Sequence, residues 1–174
     1  MLRSFAADND SLVPRLLTAL GGAGLLLFEA LYWWLDEPTG PLWLRVCVAG
    51  LCFAYALLMQ LVPRLRRFAY PSAAAIAVII TAENVVRMHL VEFTFSHSMP
   101  MLVVIAGASY AFREYSHMAM YLLASAISLT ITIALTPEPQ VSPLIYVSSL
   151  WVFCLLTFLV FGTRVRQHNE VQAQ

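Results

Sequence analysis

Residues 42–62 read LWLRVCVAGLCFAYALLMQLV, and the reading of this stretch decides the fold. It carries one charge, Arg45, and it matches the roughly 20 apolar residues that an α-helix needs to cross the hydrocarbon core of a bilayer. Working outward in both directions, the pattern recurs between short polar interruptions. Further apolar runs occupy residues 16–35, 72–91, 99–112, 117–135 and 144–163, of which 99–112 is the shortest. The expected fold is therefore an all-α integral membrane protein, a six-transmembrane-helix bundle.

Composition points the same way. Of 174 residues, 60% are hydrophobic and 11% charged, and the mean hydropathy is +0.76, far from the balance of a soluble domain. All ten basic residues are arginine, and ten acidic residues cancel them. Net charge thus identifies no partner, and nothing suggests nucleic acid. The three cysteines, Cys47, Cys52 and Cys154, fall in apolar runs without zinc or redox spacing, and read as packing residues. Asp8, Asp10 and Arg15 ahead of a full-length span argue against a cleaved secretory signal.

Arginine position sets the expected orientation, because basic residues near helix ends accumulate on the cytoplasmic side. Arg3 and Arg15 precede the first run, Arg64, Arg66 and Arg67 follow the second, Arg113 follows the fourth, and Arg164 and Arg166 follow the sixth. The N-terminus and the C-terminus are both expected to be cytoplasmic. Tyr32, Trp33, Trp34 and Trp43 would form an aromatic belt at the outer interface. Three segments result: a cytoplasmic lead, 1–15; the six-helix domain, 16–163; and a cytoplasmic stalk, 164–174, polar and free of Gly and Pro, that can continue the last helix.

Four charged residues do not fit in lipid. Glu29, Arg45, Glu83 and Arg87 lie in the outer halves of three spans, with Glu83 and Arg87 at the i, i+4 spacing of one helical face. A charge at the centre of a span costs about 2.5–3.5 kcal/mol on insertion scales, so such groups turn inward and pair. Asn84 and His89 are candidates to extend the pairing. Two readings stand. In one, Glu83 and Arg87 satisfy each other, Arg45 reaches the outer headgroups and Glu29 bonds a neighbouring helix. In the other, the four charges line a ligand cavity, with Trp33, Trp151 and Phe153 as apolar walls.

Other chemistry is thinly represented. His89, Glu92 and His97 have metal-ligand character but match no standard spacing. His89 and His117 fall near opposite membrane faces, unsuited to sharing a haem. No nucleophile elbow, phosphate loop, zinc helix or dinucleotide fingerprint occurs. Neither a cofactor nor a catalytic activity of this chain is expected. The small residues Gly21, Gly22 and Gly24, and the hydroxyls Ser125, Ser128, Thr130 and Thr132, read as helix-packing positions.

The order and spacing of several stretches resemble a known family. Ser11-Leu12-Val13, Glu29 sixteen residues after Val13 among aromatics, and Leu42-Trp43-Leu44-Arg45 at the start of the second span form the first part. Leu135-Thr136, Leu144-Ile145, an aromatic-rich last span and Phe161-Gly162 form the second. Together they resemble the membrane sensor of α-hydroxyketone quorum-sensing histidine kinases of the CqsS and LqsS type. The family's phosphorylation helix and ATP-binding domain are not in this sequence, so a kinase, or another output such as a nucleotide cyclase, would join after the stalk.

The resemblance implies a receptor in a bacterial inner membrane for a small lipophilic signal with a ketone and hydroxyl head. Glu29 and Arg45 lie within the matching stretches; Glu83, Arg87, Trp33, Trp151 and Phe153 are added on depth and chemistry. Membrane lipid and a second copy of the chain, in a homodimer, are the other expected partners. The rival expectation is a small membrane transporter or channel, whose polar residues would continue through both membrane halves.

Overall fold

The computed structural model describes residues 2–172, and side chains over residues 12–163. Every described element is helical: α1 (Leu2–Trp34), α2 (Leu42–Leu61), a 3-10 helix (Pro63–Phe68), α3 (Ala69–Leu90), α4 (Phe95–Ser109), α5 (Tyr115–Leu135) and α6 (Pro143–Gln172). Five stretches are long and apolar enough to cross a membrane: Leu12–Trp34, Leu42–Leu61, Pro63–Leu90, Tyr115–Leu135 and Pro143–Thr163. The all-α membrane character expected from the sequence is therefore present.

The fourth element departs from expectation. It is a 15-residue helix, Phe95–Ser109, shifted toward the N-terminus from 99–112 and shorter than the roughly 20 residues of a perpendicular crossing. The polar run Thr94 to Ser98 looks like a loop but starts a helix. Thr94 is extended at the boundary, and Ser98 Oγ donates to the Thr94 carbonyl at 2.8 Å, so its hydroxyl is satisfied inside the first turn. At the far end, Tyr110, Ala111 and Phe112 leave the helix through i to i−3 bonds at 3.2, 3.0 and 3.3 Å.

The ends of the chain are helical as well. The lead expected over 1–15 is continuous with the first span from Leu2, and Pro14 is accommodated within that helix. Helix α6 likewise runs unbroken to Gln172. Residues 173–174, and the side chains of Arg3, Arg164 and Arg166, lie outside the described set.

By internal contacts the chain divides into two compact units, Met1–Glu83 and Asn84–Gln174, with the division inside α3. In the first unit α2 packs along α1, and the approach is close at Gly22. A Cβ there would stand 2.9 Å from Cys52 Cβ and 3.2 Å from the Ala49 carbonyl oxygen. Gly21 faces Ile80 of α3, whereas Gly24 meets nothing, so only part of the glycine run serves packing. Tyr55 closes the other end of the unit by donating its hydroxyl to the Ala69 carbonyl at 2.6 Å.

The second unit has an apolar core in which Met88, Phe93, Met101, Ile105, Met118, Leu129 and Leu150 are almost wholly enclosed. Phe93 meets Tyr146 edge-on, with ring centroids 5.4 Å apart at 74°. Phe93 also follows the end of α3 through a left-handed turn: Glu92 and Phe93 have φ of 55° and 52°. The Phe93 N–H returns to the Met88 carbonyl at 2.9 Å, the 6-to-1 bond of a Schellman-type ending. That conformation is unfavourable for a bulky residue, and complete burial of the ring holds it in place. Where α6 leaves the apolar zone, a Cβ on Gly162 would collide with the Tyr115 ring, so glycine is what admits that ring beside the helix.

Candidate functional site

Glu29 lies five residues before the end of α1, Arg45 three residues after the start of α2, and Glu83 seven residues before the end of α3. At about 1.5 Å per residue these positions are about 5–10 Å inside their helix ends. The first unit brings all three together. Arg45 Nη1 stands 3.5 Å from Glu29 Oε2, and Arg45 Nε donates to Glu83 Oε1 at 3.4 Å. One guanidinium thus joins three helices by presenting different nitrogens to two carboxylates.

All three residues are buried, with exposures of 8% for Glu29, 2% for Arg45 and 4% for Glu83. Arg45 turns inward onto both carboxylates. The reason is energetic, because desolvating a guanidinium is costly unless charge-assisted bonds replace its water. Both contacts exceed the roughly 2.7–2.9 Å optimum of such bonds.

The remaining expected site residues are described each within its own unit. Arg87 is buried, at 1% exposure, and belongs to the second unit. Trp33 is 80% exposed, so the ring is at the surface of its unit and not a wall of an enclosed site. Trp151 and Phe153 lie on α6 in the second unit; Trp151 donates its indole N–H to Thr130 Oγ1 at 3.2 Å, and Phe153 is half-buried. The expected aromatic belt loses one member, because Tyr32 is buried and stacks on Phe28 with centroids 6.2 Å apart, while Trp33, Trp34 and Trp43 are exposed.

The histidines are engaged locally. His89 Nδ1 lies 3.0 Å from Thr136 Oγ1, whose own proton is directed to the Thr132 carbonyl at 2.9 Å. The ring therefore donates from Nδ1, and the threonine oxygen accepts. His97 Nδ1 is 2.7 Å from Thr94 Oγ1. Among the described residues no three His, Cys, Asp or Glu side chains gather as metal ligands would. Several span hydroxyls are turned onto their own helices: Thr18, Thr81, Ser109, Thr130 and Thr132 each donate to the carbonyl four residues earlier. Such back-bonding uses the hydroxyl's one proton and leaves its oxygen only as an acceptor, as Thr130 is for Trp151.

One polar group was not singled out by its sequence context. Tyr146, in the apolar segment that starts α6, is 7% exposed, and its hydroxyl has no hydrogen-bond partner among the described residues. A tyrosine near the start of a span ordinarily reads as an interfacial ring, which is why the sequence gives no warning of it.

Fold and node together define the class: a multi-pass α-helical membrane protein with a guanidinium bridging two carboxylates inside its first unit. No family model, no curated protein and no solved structure matches this chain.

Proposed function

We propose that this chain is the ligand-sensing domain of a bacterial inner-membrane signalling protein, spanning the membrane six times with both termini in the cytoplasm. It binds a small lipophilic signal, such as an α-hydroxyketone, and passes the change through α6 to a cytoplasmic kinase or cyclase joined after its last residue. The working assembly is a homodimer whose α6 helices run side by side into the cytoplasm.

The observation that carries this reading is the buried Glu29–Arg45–Glu83 node, with its contacts of 3.5 and 3.4 Å. A guanidinium can donate to a ketone oxygen while a carboxylate accepts from a neighbouring hydroxyl. Because the Arg45 contacts to Glu29 and Glu83 are longer than the optimum for charge-assisted bonds, a polar ligand head can exchange with them. The three groups sit on three different helices, so exchanging a protein contact for a ligand contact changes how those helices are tied. A ligand that binds one arrangement better shifts the population toward it. Helix α6, continuous from Pro143 to Gln172, is a suitable rigid lever. No step of this mechanism requires catalysis by the chain.

The test is a fusion of the full chain to a histidine kinase or cyclase domain after Gln174, reconstituted in proteoliposomes, with output measured against medium-chain hydroxyketones. The expected result is a saturable change in output that Glu29→Gln weakens at least several-fold. Solute flux through the proteoliposomes with no output response to any hydroxyketone would replace this reading with a transporter or channel.

A further inference from the structure

We infer that the 3-10 helix Pro63–Phe68 is a binding site for the phosphate headgroup of an anionic lipid. The segment reads PRLRRF and joins α2 to α3 in the first unit, at the edge of the span that ends at Leu61.

Its three arginines are not equivalent. Arg66 is consumed by structure: its Nε donates to the Met59 carbonyl at 3.2 Å and its Nη2 to the Gln60 carbonyl at 3.3 Å. These acceptors belong to the last turn of α2, where carbonyls lack helical partners and the helix dipole is negative. Arg66 thereby fixes the 3-10 helix against the end of α2. Leu65 N–H adds a bond to the Val62 carbonyl at 3.0 Å.

Arg64 and Arg67 are left over. They are three residues apart, and a 3-10 helix turns once in about three residues, so side chains at i and i+3 eclipse each other on one face. Both are exposed, and neither has a carboxylate partner among the described residues. Arg67 lies over the Phe68 ring at 4.6 Å, a cation-π contact that holds its guanidinium in place. Two guanidinium side chains one turn apart on one face offer a set of donors suited to a phosphate group.

The apolar surroundings select a lipid over a free anion. Leu61 is 67% exposed and Phe68 46% exposed, on either side of the arginine pair. A free phosphate has no use for these side chains, whereas the acyl chains beneath a lipid headgroup cover them. The site is independent of the node formed by Glu29, Arg45 and Glu83, and of any signal molecule.

The full chain in nanodiscs of phosphatidylcholine, doped with either spin-labelled phosphatidylglycerol or spin-labelled phosphatidylcholine, tests the assignment. The expected result is a several-fold higher restricted fraction for phosphatidylglycerol. That preference should fall to less than twofold in the Arg64→Gln/Arg67→Gln variant and persist in Arg113→Gln, which removes an arginine from another connection. In the unaltered protein it should also fade at about 1 M salt, where the screening length is about 3 Å, a readout that no folding defect affects. Equal restriction of the two lipids, a preference unchanged in the double variant, or complete displacement of the labelled lipid by millimolar inorganic phosphate would overturn the assignment.

Discussion

The two units answer the same physical problem differently. Between helices in a bilayer there is little hydrophobic driving force, since lipid tails are as apolar as leucine, so association rests on close packing and polar contacts. The first unit uses both, in concentrated form: one charged node at Arg45 and one close approach at Gly22. The second unit spreads the task over a methionine-rich and aromatic core around Met101, Ile105, Met118 and Leu150. A unit held at a few points should fail sharply when one is removed. A unit held by distributed dispersion should fail in proportion to the volume lost.

Arg45→Leu is the severest test of that contrast. It removes the partner shared by Glu29 and Glu83 and leaves two buried carboxylates to be neutralised or hydrated. Losing one side of a buried ion pair costs about 3–5 kcal/mol, and here one substitution breaks two contacts. Reversible unfolding in mixed micelles should show a loss at the upper end of that range. A loss below about 1 kcal/mol would mean that the node does not hold the first unit together.

Leu150→Ala makes the corresponding cut in the second unit. Leu150 is fully enclosed, and the cavity left behind costs dispersion contacts that lipid cannot refill. Without the water-transfer contribution, the loss should sit near the low end of large-to-small core replacements, about 2–3 kcal/mol. The same unfolding assay reads it, and partial refilling by a neighbouring methionine would reduce it further. Gly22→Val should cost about 1–3 kcal/mol by overpacking, because even the first added carbon would stand 2.9 Å from Cys52 Cβ. Gly24→Val, where a Cβ meets nothing, is the matched control and should be close to neutral.

Glu29→Gln should have a smaller effect on stability, about 1 kcal/mol, because the amide oxygen can still face the Arg45 guanidinium while the ion-pair attraction across 3.5 Å is lost. Its larger consequence should be on signalling output. A variant that is stable but unresponsive would separate the role of Glu29 as a ligand contact from its role as a strut. A variant equally unstable and unresponsive would assign it to the strut alone.

Much of this was legible in the sequence, and the exceptions have physical causes. The charges at positions 29, 45 and 83 stand out because ionisable groups in apolar helices are costly, and their depths are calculable from helix rise alone. Which charges meet is a property of helix neighbours and azimuths, which no local pattern encodes. Helix α4 was misplaced for a different reason. Thr94 and Ser98 read as loop residues by polarity, yet Ser98 is satisfied by a bond to the backbone at Thr94, so polarity did not report exposure. Tyr32 and Trp33, both expected in the belt, differ because neighbouring residues on a helix point about 100° apart: Trp33 faces outward, and Tyr32 stacks on Phe28.

Tyr146→Phe is the gentlest change and the most pointed about the second unit. The unit is built on dispersion, yet it encloses a hydroxyl with no partner among the described residues. A buried hydroxyl without a bond forfeits about 1–3 kcal/mol of solvation. Removing it while keeping the ring preserves the edge-on contact with Phe93. Tyr146→Phe should therefore be neutral or stabilising, by up to about 1 kcal/mol, with the same unfolding cooperativity. A clear destabilisation would show that the hydroxyl is bonded in the membrane, to an enclosed water or to a second molecule. The second unit would then hold an enclosed polar point beyond its His89–Thr136 and Trp151–Thr130 contacts, and the contrast between the units would narrow further.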